Sequence, residues 1–273
     1  MEQLILKGKV HMEDEYSYSE SIKTLRTNIR FSGNGINVIM FTSALPGEGK
    51  SDTAFSLARS LAMLGNRTVL VDCDIRKSVY TVRYELNREV KGLSQYLTGQ
   101  ESFDDILYST NFQDFYLILA GPYSPNPTEL LEEKAFGEMI DRLRKEFDYV
   151  ILDTPPMGIL TDAAIVAKHC DGTVLVIESG AISRRLEQKV KSSIENTGCR
   201  ILGVVLNKVE ANASPYYSKY GKYGKYGRYG KYSKYSKYSK YESSGGEYGG
   251  DKEKRIADRQ AYGTSAVYTD DKQ

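Results

Sequence analysis

Residues 44–51, Ala-Leu-Pro-Gly-Glu-Gly-Lys-Ser, carry the spacing of a phosphate-cradling loop of the Walker A type, with Ala44 where the first glycine of the pattern stands. An apolar run precedes the loop and an amphipathic stretch follows it, the strand-to-helix setting that the motif needs. Gly47 and Gly49 let backbone N–H groups approach phosphate oxygens, and the start of the following helix favours their negative charge. Lys50 is placed to reach the β- and γ-phosphates of ATP, and the Ser51 hydroxyl to ligate Mg²⁺. Pro46, Gly47, Glu48, Gly49, Lys50, Ser51 and Asp52 are therefore the candidate nucleotide-binding residues. Asp52 suits a helix N-terminus but would repel phosphate if it pointed inward, so its side chain is expected to face sideways.

Two further segments end in carboxylates. Val69-Leu70-Val71-Asp72-Cys73-Asp74-Ile75-Arg76 closes one apolar run, and Tyr149-Val150-Ile151-Leu152-Asp153 closes another before Thr154-Pro155-Pro156. Alone, each aspartate reads as a surface or capping residue at a strand end. Beside a Walker A loop they read as a set at the carboxyl edge of a sheet, where they can hold Mg²⁺ or its waters and position an attacking hydroxyl.

The elements that must bring these groups together are visible in the apolar pattern. Runs at 38–42, 68–72, 115–119, 149–153, 173–178 and 201–207 are rich in Val, Ile and Leu, as strands covered on both faces are. Between them, 49–64, 136–146, 161–169 and 183–196 have the period of helices, with Gly65 as a C-terminal cap for the first. The alternation predicts an α/β fold, a three-layer P-loop NTPase domain with a mostly parallel sheet, over residues 36–211. Residues 1–35 form an N-terminal arm with a helix around 20–29, and residues 212–273 a separate tail.

Composition narrows the class. The chain has 273 residues, 40% of them apolar, enough for a substantial core. Its net charge of +1 conceals an uneven distribution: residues 212–248 hold eight Lys/Arg against two Glu, which leaves about −5 on residues 1–211. That acidic body argues against nucleic acid as the main partner. Cys73, Cys170 and Cys199 are odd in number and lack metal-ligand spacing, so they read as reduced core thiols. His11 and His169 read as surface or capping residues. No apolar run approaches the roughly 18 residues a bilayer span needs, which predicts a cytosolic chain whose membrane contacts come through a partner or surface contact.

From 217 to 241 a tyrosine recurs at every third position, with Lys or Arg before almost every one. The repeat has no aliphatic residues for a core, so disorder is expected and tyrosine chemistry must explain it. Tyr216, Tyr217, Tyr220, Tyr223, Tyr226, Tyr229, Tyr232, Tyr235, Tyr238 and Tyr241 are the candidate phosphoacceptors, with Tyr262 and Tyr268 less favoured. A basic tail that simply binds anionic lipid or nucleic acid is the competing reading.

With TSALPGEGKS, VLVDCDIR and YVILDTPP in place, and GLSQYLTG, LAGPYSPNPTELL and ILGVVLNK beside them, the chain resembles the soluble split form of the bacterial tyrosine kinases of capsular and exopolysaccharide synthesis, the BY-kinases. The resemblance implies an ATP-dependent protein-tyrosine kinase that autophosphorylates its tyrosine cluster. Lys50 and Ser51 would bind nucleotide and metal, Asp72 and Asp153 would organise Mg²⁺, and Asp74 with Asp72 would orient or deprotonate the tyrosine. Lys50, Asp72 and Asp74 would thus be catalytic, and Ser51, Asp72 and Asp153 metal ligands.

The family also builds a ring through an N-terminal Glu-x-x-Arg-x-x-Arg helix, matched here by Glu20, Lys23 and Arg26 with Lys for the first Arg. A lysine does not reproduce the bidentate fork of arginine. The resemblance further implies a homo-oligomer that loosens on tail phosphorylation, and a membrane-anchored activator whose cytoplasmic tail recruits the kinase to the inner membrane face. Polysaccharide-synthesis enzymes would be its external substrates. Two other functions compete: a partitioning or positioning ATPase, which usually has a Lys where Leu45 stands, and a nucleotide-binding scaffold without turnover.

Overall fold

The computed structural model describes residues 1–7, 16–86 and 90–209. His11 and all ten tyrosines proposed as acceptors between 216 and 241, together with Tyr262 and Tyr268, lie outside the described residues.

In chain order the elements are β1 (Glu2–Leu4), α1 (Tyr16–Phe31), β2 (Val38–Ser43), α2 (Lys50–Ala62), β3 (Thr68–Asp72), α3 (Tyr80–Arg83), α4 (Leu93–Leu97), α5 (Phe103–Ile106), β4 (Leu107–Thr110), β5 (Phe115–Ile118), α6 (Pro127–Glu132), α7 (Lys134–Glu146), β6 (Tyr149–Asp153), α8 (Asp162–Ala167), β7 (Gly172–Glu178), α9 (Arg184–Asn196) and β8 (Ile201–Asn207). The eight strands form one sheet in the order β1-β4-β5-β3-β6-β2-β7-β8. The six runs read from sequence are the parallel set β5, β3, β6, β2, β7 and β8.

Two short strands, β1 at the edge and β4 beside it, were not among them. β4 runs antiparallel to β5, and β1 runs parallel to β4, so the sheet is mixed at one edge. The segment read as an arm therefore contributes β1 to the sheet and α1 to its cover, α1 burying Ile22 and Ile29.

Each central strand divides its apolar side chains between two cores, because successive side chains point to opposite faces. Val38, Met40, Val69, Val71, Val150, Leu152, Leu175 and Ile177 face one cluster, built with α7, α8 and α9 through Phe136, Leu143, Val166 and Ile194. Ile39, Phe41, Leu70, Ile151, Val174 and Val176 face the other, built with α1 and α2 through Ile29, Phe55, Leu57 and Leu61. This double coverage is why the strands read as unbroken apolar runs. Gly65 takes φ +79 just after α2, a left-handed turn that glycine adopts without penalty. All three cysteines are free; Cys73 and Cys199 are buried and Cys170 is half-buried.

Candidate active site

β2 lies inside the sheet between β6 and β7, and its carboxyl end runs into the phosphate loop. β3 and β6 are paired so that Asp72 stands directly opposite Asp153. Strand register thus delivers both acidic segments to the mouth of the loop.

Gly47 and Gly49 have φ +83 and +91, in the left-handed region that lets the loop turn its N–H groups inward. Ala44 is fully buried and is not among the residues with positive φ, so alanine replaces the first glycine without strain. It leaves no room on its other side: a Cβ on Gly158 would lie 2.1 Å from the Ala44 carbonyl oxygen.

Lys50, the first residue of α2, sends its Nζ into the carboxylates. It lies 3.4 Å from Asp153 Oδ1 and 3.9 Å from Asp74 Oδ2, and donates to Ser51 Oγ at 3.1 Å. Burial opposes its charge, but Asp153, Asp74 and Asp72 outweigh it and hold the ammonium above its ordinary value. Asp72 is buried and accepts from Ser78 Oγ at 2.5 Å and from the Asp74 N–H at 3.1 Å. Burial, and then the Asp153 charge, push its carboxyl up to about 8. Asp74 is also raised, by burial opposed by Lys50, and accepts from the Lys77 N–H.

Ser51 Oγ and the carboxylates of Asp72 and Asp153 are hard oxygen donors, the kind that suits Mg²⁺. Among the described residues no three acidic, histidine or cysteine side chains make a self-sufficient cage. Such a partial set matches an ion that keeps waters and shares phosphate oxygens.

The other residues of the loop segment take different places. Pro46 is exposed. Glu48 is 1% exposed and turned inward, its carboxylate accepting from the Leu45 N–H at 2.7 Å and the Glu178 N–H at 3.2 Å. Asn207 Nδ2, at the end of β8, donates to the Glu48 carbonyl at 2.9 Å, and a Cβ on Gly49 would meet that same amide. Any share Glu48 has in nucleotide binding therefore falls to its main chain. Asp52 turns away onto Arg83, 2.7 Å away at the surface.

Three groups at this site have no marking pattern in the sequence. Ser78 and Tyr80 follow Asp74 closely but at no diagnostic spacing, and Asn207 is 159 residues from the carbonyl it supports. Away from the site, Glu20 and Lys23 pair with each other at 2.7 Å. Arg26 donates to the carbonyl and hydroxyl oxygens of Ser60 on α2 at 3.0 and 2.9 Å.

The AAA domain family matches residues 36–196. The tyrosine-protein kinase CpsD of Streptococcus agalactiae is 43% identical over 197 residues, covering 72% of this chain and 86% of that protein. This chain belongs to the BY-kinases. Their solved domains agree with the fold described above. The chimerical protein CapA2B2 aligns with a TM-score of 0.68 and 35% identity, covering 75% of this chain and 92% of that one. The kinase domain of Escherichia coli tyrosine kinase ETK aligns with a TM-score of 0.67 and 30% identity, covering 71% and 77%. The enzyme is thus a protein-tyrosine kinase built on a phosphate-loop sheet. Among its described residues no helix is long and apolar enough to cross a membrane.

Proposed function

We propose that this BY-kinase transfers the γ-phosphoryl group of Mg-ATP to its own C-terminal tyrosines, Tyr216 to Tyr241, in trans within a ring, and so regulates capsular or extracellular polysaccharide synthesis and export. The observation that carries the reading is the convergence of Lys50, Ser51, Asp72, Asp74 and Asp153 at one sheet edge of a chain that also carries the tyrosine repeat.

In the reaction the phenolic oxygen attacks the γ-phosphorus, the bond to the β–γ bridging oxygen breaks, ADP leaves, and the phenolic proton passes to a carboxylate. Gly47, Gly49 and the start of α2 orient the phosphates, and Lys50 balances charge that develops on them. Mg²⁺ supplies further charge neutralisation of the phosphates when bound at Ser51, Asp72 and Asp153. Asp74 is the carboxylate best placed to take the proton, since it is 13% exposed whereas Asp72 is buried and engaged by Ser78. Positioning and charge carry the chemistry, because phosphoryl transfer needs little covalent help.

The segment from 216 to 241 bears eight positive and no negative side chains. Each phosphate adds about −1.5 to −2, so a few transfers reverse its sign. The unmodified tail is attracted to the acidic site of a neighbouring subunit, and phosphorylation releases it and loosens the ring. Glu20, Lys23 and Arg26 supply the subunit contact on α1. A membrane-anchored activator recruits the cytoplasmic enzyme to the inner membrane face, and enzymes of polysaccharide synthesis are further substrates.

Peptide mass spectrometry after incubation with Mg-ATP and a candidate activator tests this on wild type, Lys50→Met and a chain ending at Ala213. Several phosphates between 217 and 241 in wild type, and none in Lys50→Met, are expected. A competent activator with no tyrosine phosphate in wild type would sink the reading.

A further inference from the structure

Tyr80, the first residue of α3, is 1% exposed. Its hydroxyl lies 2.9 Å from Asp153 Oδ2 and 3.2 Å from the Ser51 carbonyl oxygen. A phenol has one proton to give, and the nearer, charged acceptor is the carboxylate. The other Asp153 oxygen, Oδ1, is the one facing Lys50 Nζ at 3.4 Å. The two oxygens are therefore committed differently: Oδ2 to a buried donor behind the site, Oδ1 to the side where Lys50 and the phosphate loop lie.

The ring is held by neighbours that leave it little freedom. Its centroid is 6.0 Å from that of Tyr84 and 6.5 Å from that of Phe55. Phe55 in turn stacks on Tyr84 at 4.2 Å and meets Phe115 edge-on at 5.2 Å. Phenylalanine would fill this aromatic slot equally well. The hydroxyl is explained by what it touches, a carboxylate and the main chain of Ser51, two positions already assigned to the metal. Groups that hydrogen-bond a metal's ligands fix ligand orientation, and their loss typically weakens metal affinity or activity 10–100-fold.

We propose that Tyr80 is a positioning residue whose hydroxyl, by holding Asp153 Oδ2, keeps Oδ1 turned toward the metal and phosphate side and so sets the affinity of the nucleotide-bound site for Mg²⁺. The inference rests on Asp153 being a metal-binding residue. Tyr80 acts here as an internal donor and not as a phosphoacceptor, its hydroxyl being sealed from solvent.

The test is binding of a fluorescent ADP analogue to the full-length chain, titrated with Mg²⁺ from zero, for wild type, Tyr80→Phe, Asp153→Asn and the double variant. Tyr80→Phe is expected to raise the Mg²⁺ concentration for half-maximal binding about tenfold, while ADP affinity without Mg²⁺ stays at the wild-type value. That magnesium-free affinity is the folding control, since a damaged site loses ADP under both conditions. In the Asp153→Asn background the Tyr80 change should add little. Unchanged Mg²⁺ dependence in Tyr80→Phe alongside a shifted Asp153→Asn would overturn the inference and leave Tyr80 as core filling. A full additional shift in the double variant would also overturn it, because Tyr80 would then act by another route. No shift in Asp153→Asn would instead remove the metal role on which the inference rests.

Discussion

Replacing Glu48 with alanine tests whether the phosphate loop is held in shape from behind. The Glu48 carboxylate accepts from the N–H groups of Leu45 and Glu178, one within the loop and one at the end of β7. Truncation removes a charged acceptor from both. A buried donor left unpaired costs about 1–3 kcal/mol, and both donors are only partly buried, so the lower half of that range applies to each. The sum is about 2–4 kcal/mol. At about 2–4 °C per kcal/mol for a folded domain of 150–250 residues, the midpoint should fall by about 4–16 °C.

Part of the lost order must be restored by the nucleotide, and each 1.4 kcal/mol or so spent in this way weakens ATP binding about tenfold. Glu48→Gln keeps the volume and one acceptor oxygen, and should fall between alanine and wild type. Asp52→Ala is the contrast, because its pair with Arg83 is about one-third exposed and such pairs contribute at most about 1 kcal/mol. Differential scanning calorimetry and ATP titration of the four proteins read both quantities. Glu48→Ala melting within about 1 °C of wild type, with unchanged ATP affinity, would refute the brace.

Two further outcomes follow from contacts outside the site. Burial alone would raise the Asp171 carboxyl, but Arg144 and the N–H groups of Val38 and Asn37 outweigh it and hold it below the usual range. A lowered folded-state value means stability that is present above the unfolded value near 4 and lost as the pH falls through the folded one; the midpoint gap between wild type and Asp171→Asn should be large at pH 7 and close in acid, and a gap independent of pH would contradict it. Arg26→Ala removes the link from α1 to Ser60 of the same chain and tests the proposed ring: loss of the higher oligomers from the wild-type native mass spectrum, with the monomer still folded by circular dichroism, is expected, and oligomers that persist would place the subunit contact elsewhere.

What could be read from sequence was whatever a short stretch of chain encodes by itself. The Walker A segment does so because adjacent residues build the phosphate cradle. The six parallel strands do so because coverage on both faces imposes unbroken Val, Ile and Leu runs such as 149–153. The short strands β1 and β4 escaped detection because three or four residues are too few to show a period, and β1 depends on a partner about a hundred positions away. Tertiary structure alone decided which further side chains serve the cradle. Asp153 meets Tyr80 across 73 positions, and Asn207 supports Glu48 across 159. Both contacts arise from strand order and register, which place Asp72 opposite Asp153 and bring the end of β8 to the phosphate loop. No local pattern carries such information, because a hydrogen bond depends on where two groups stand in space and not on their separation along the chain.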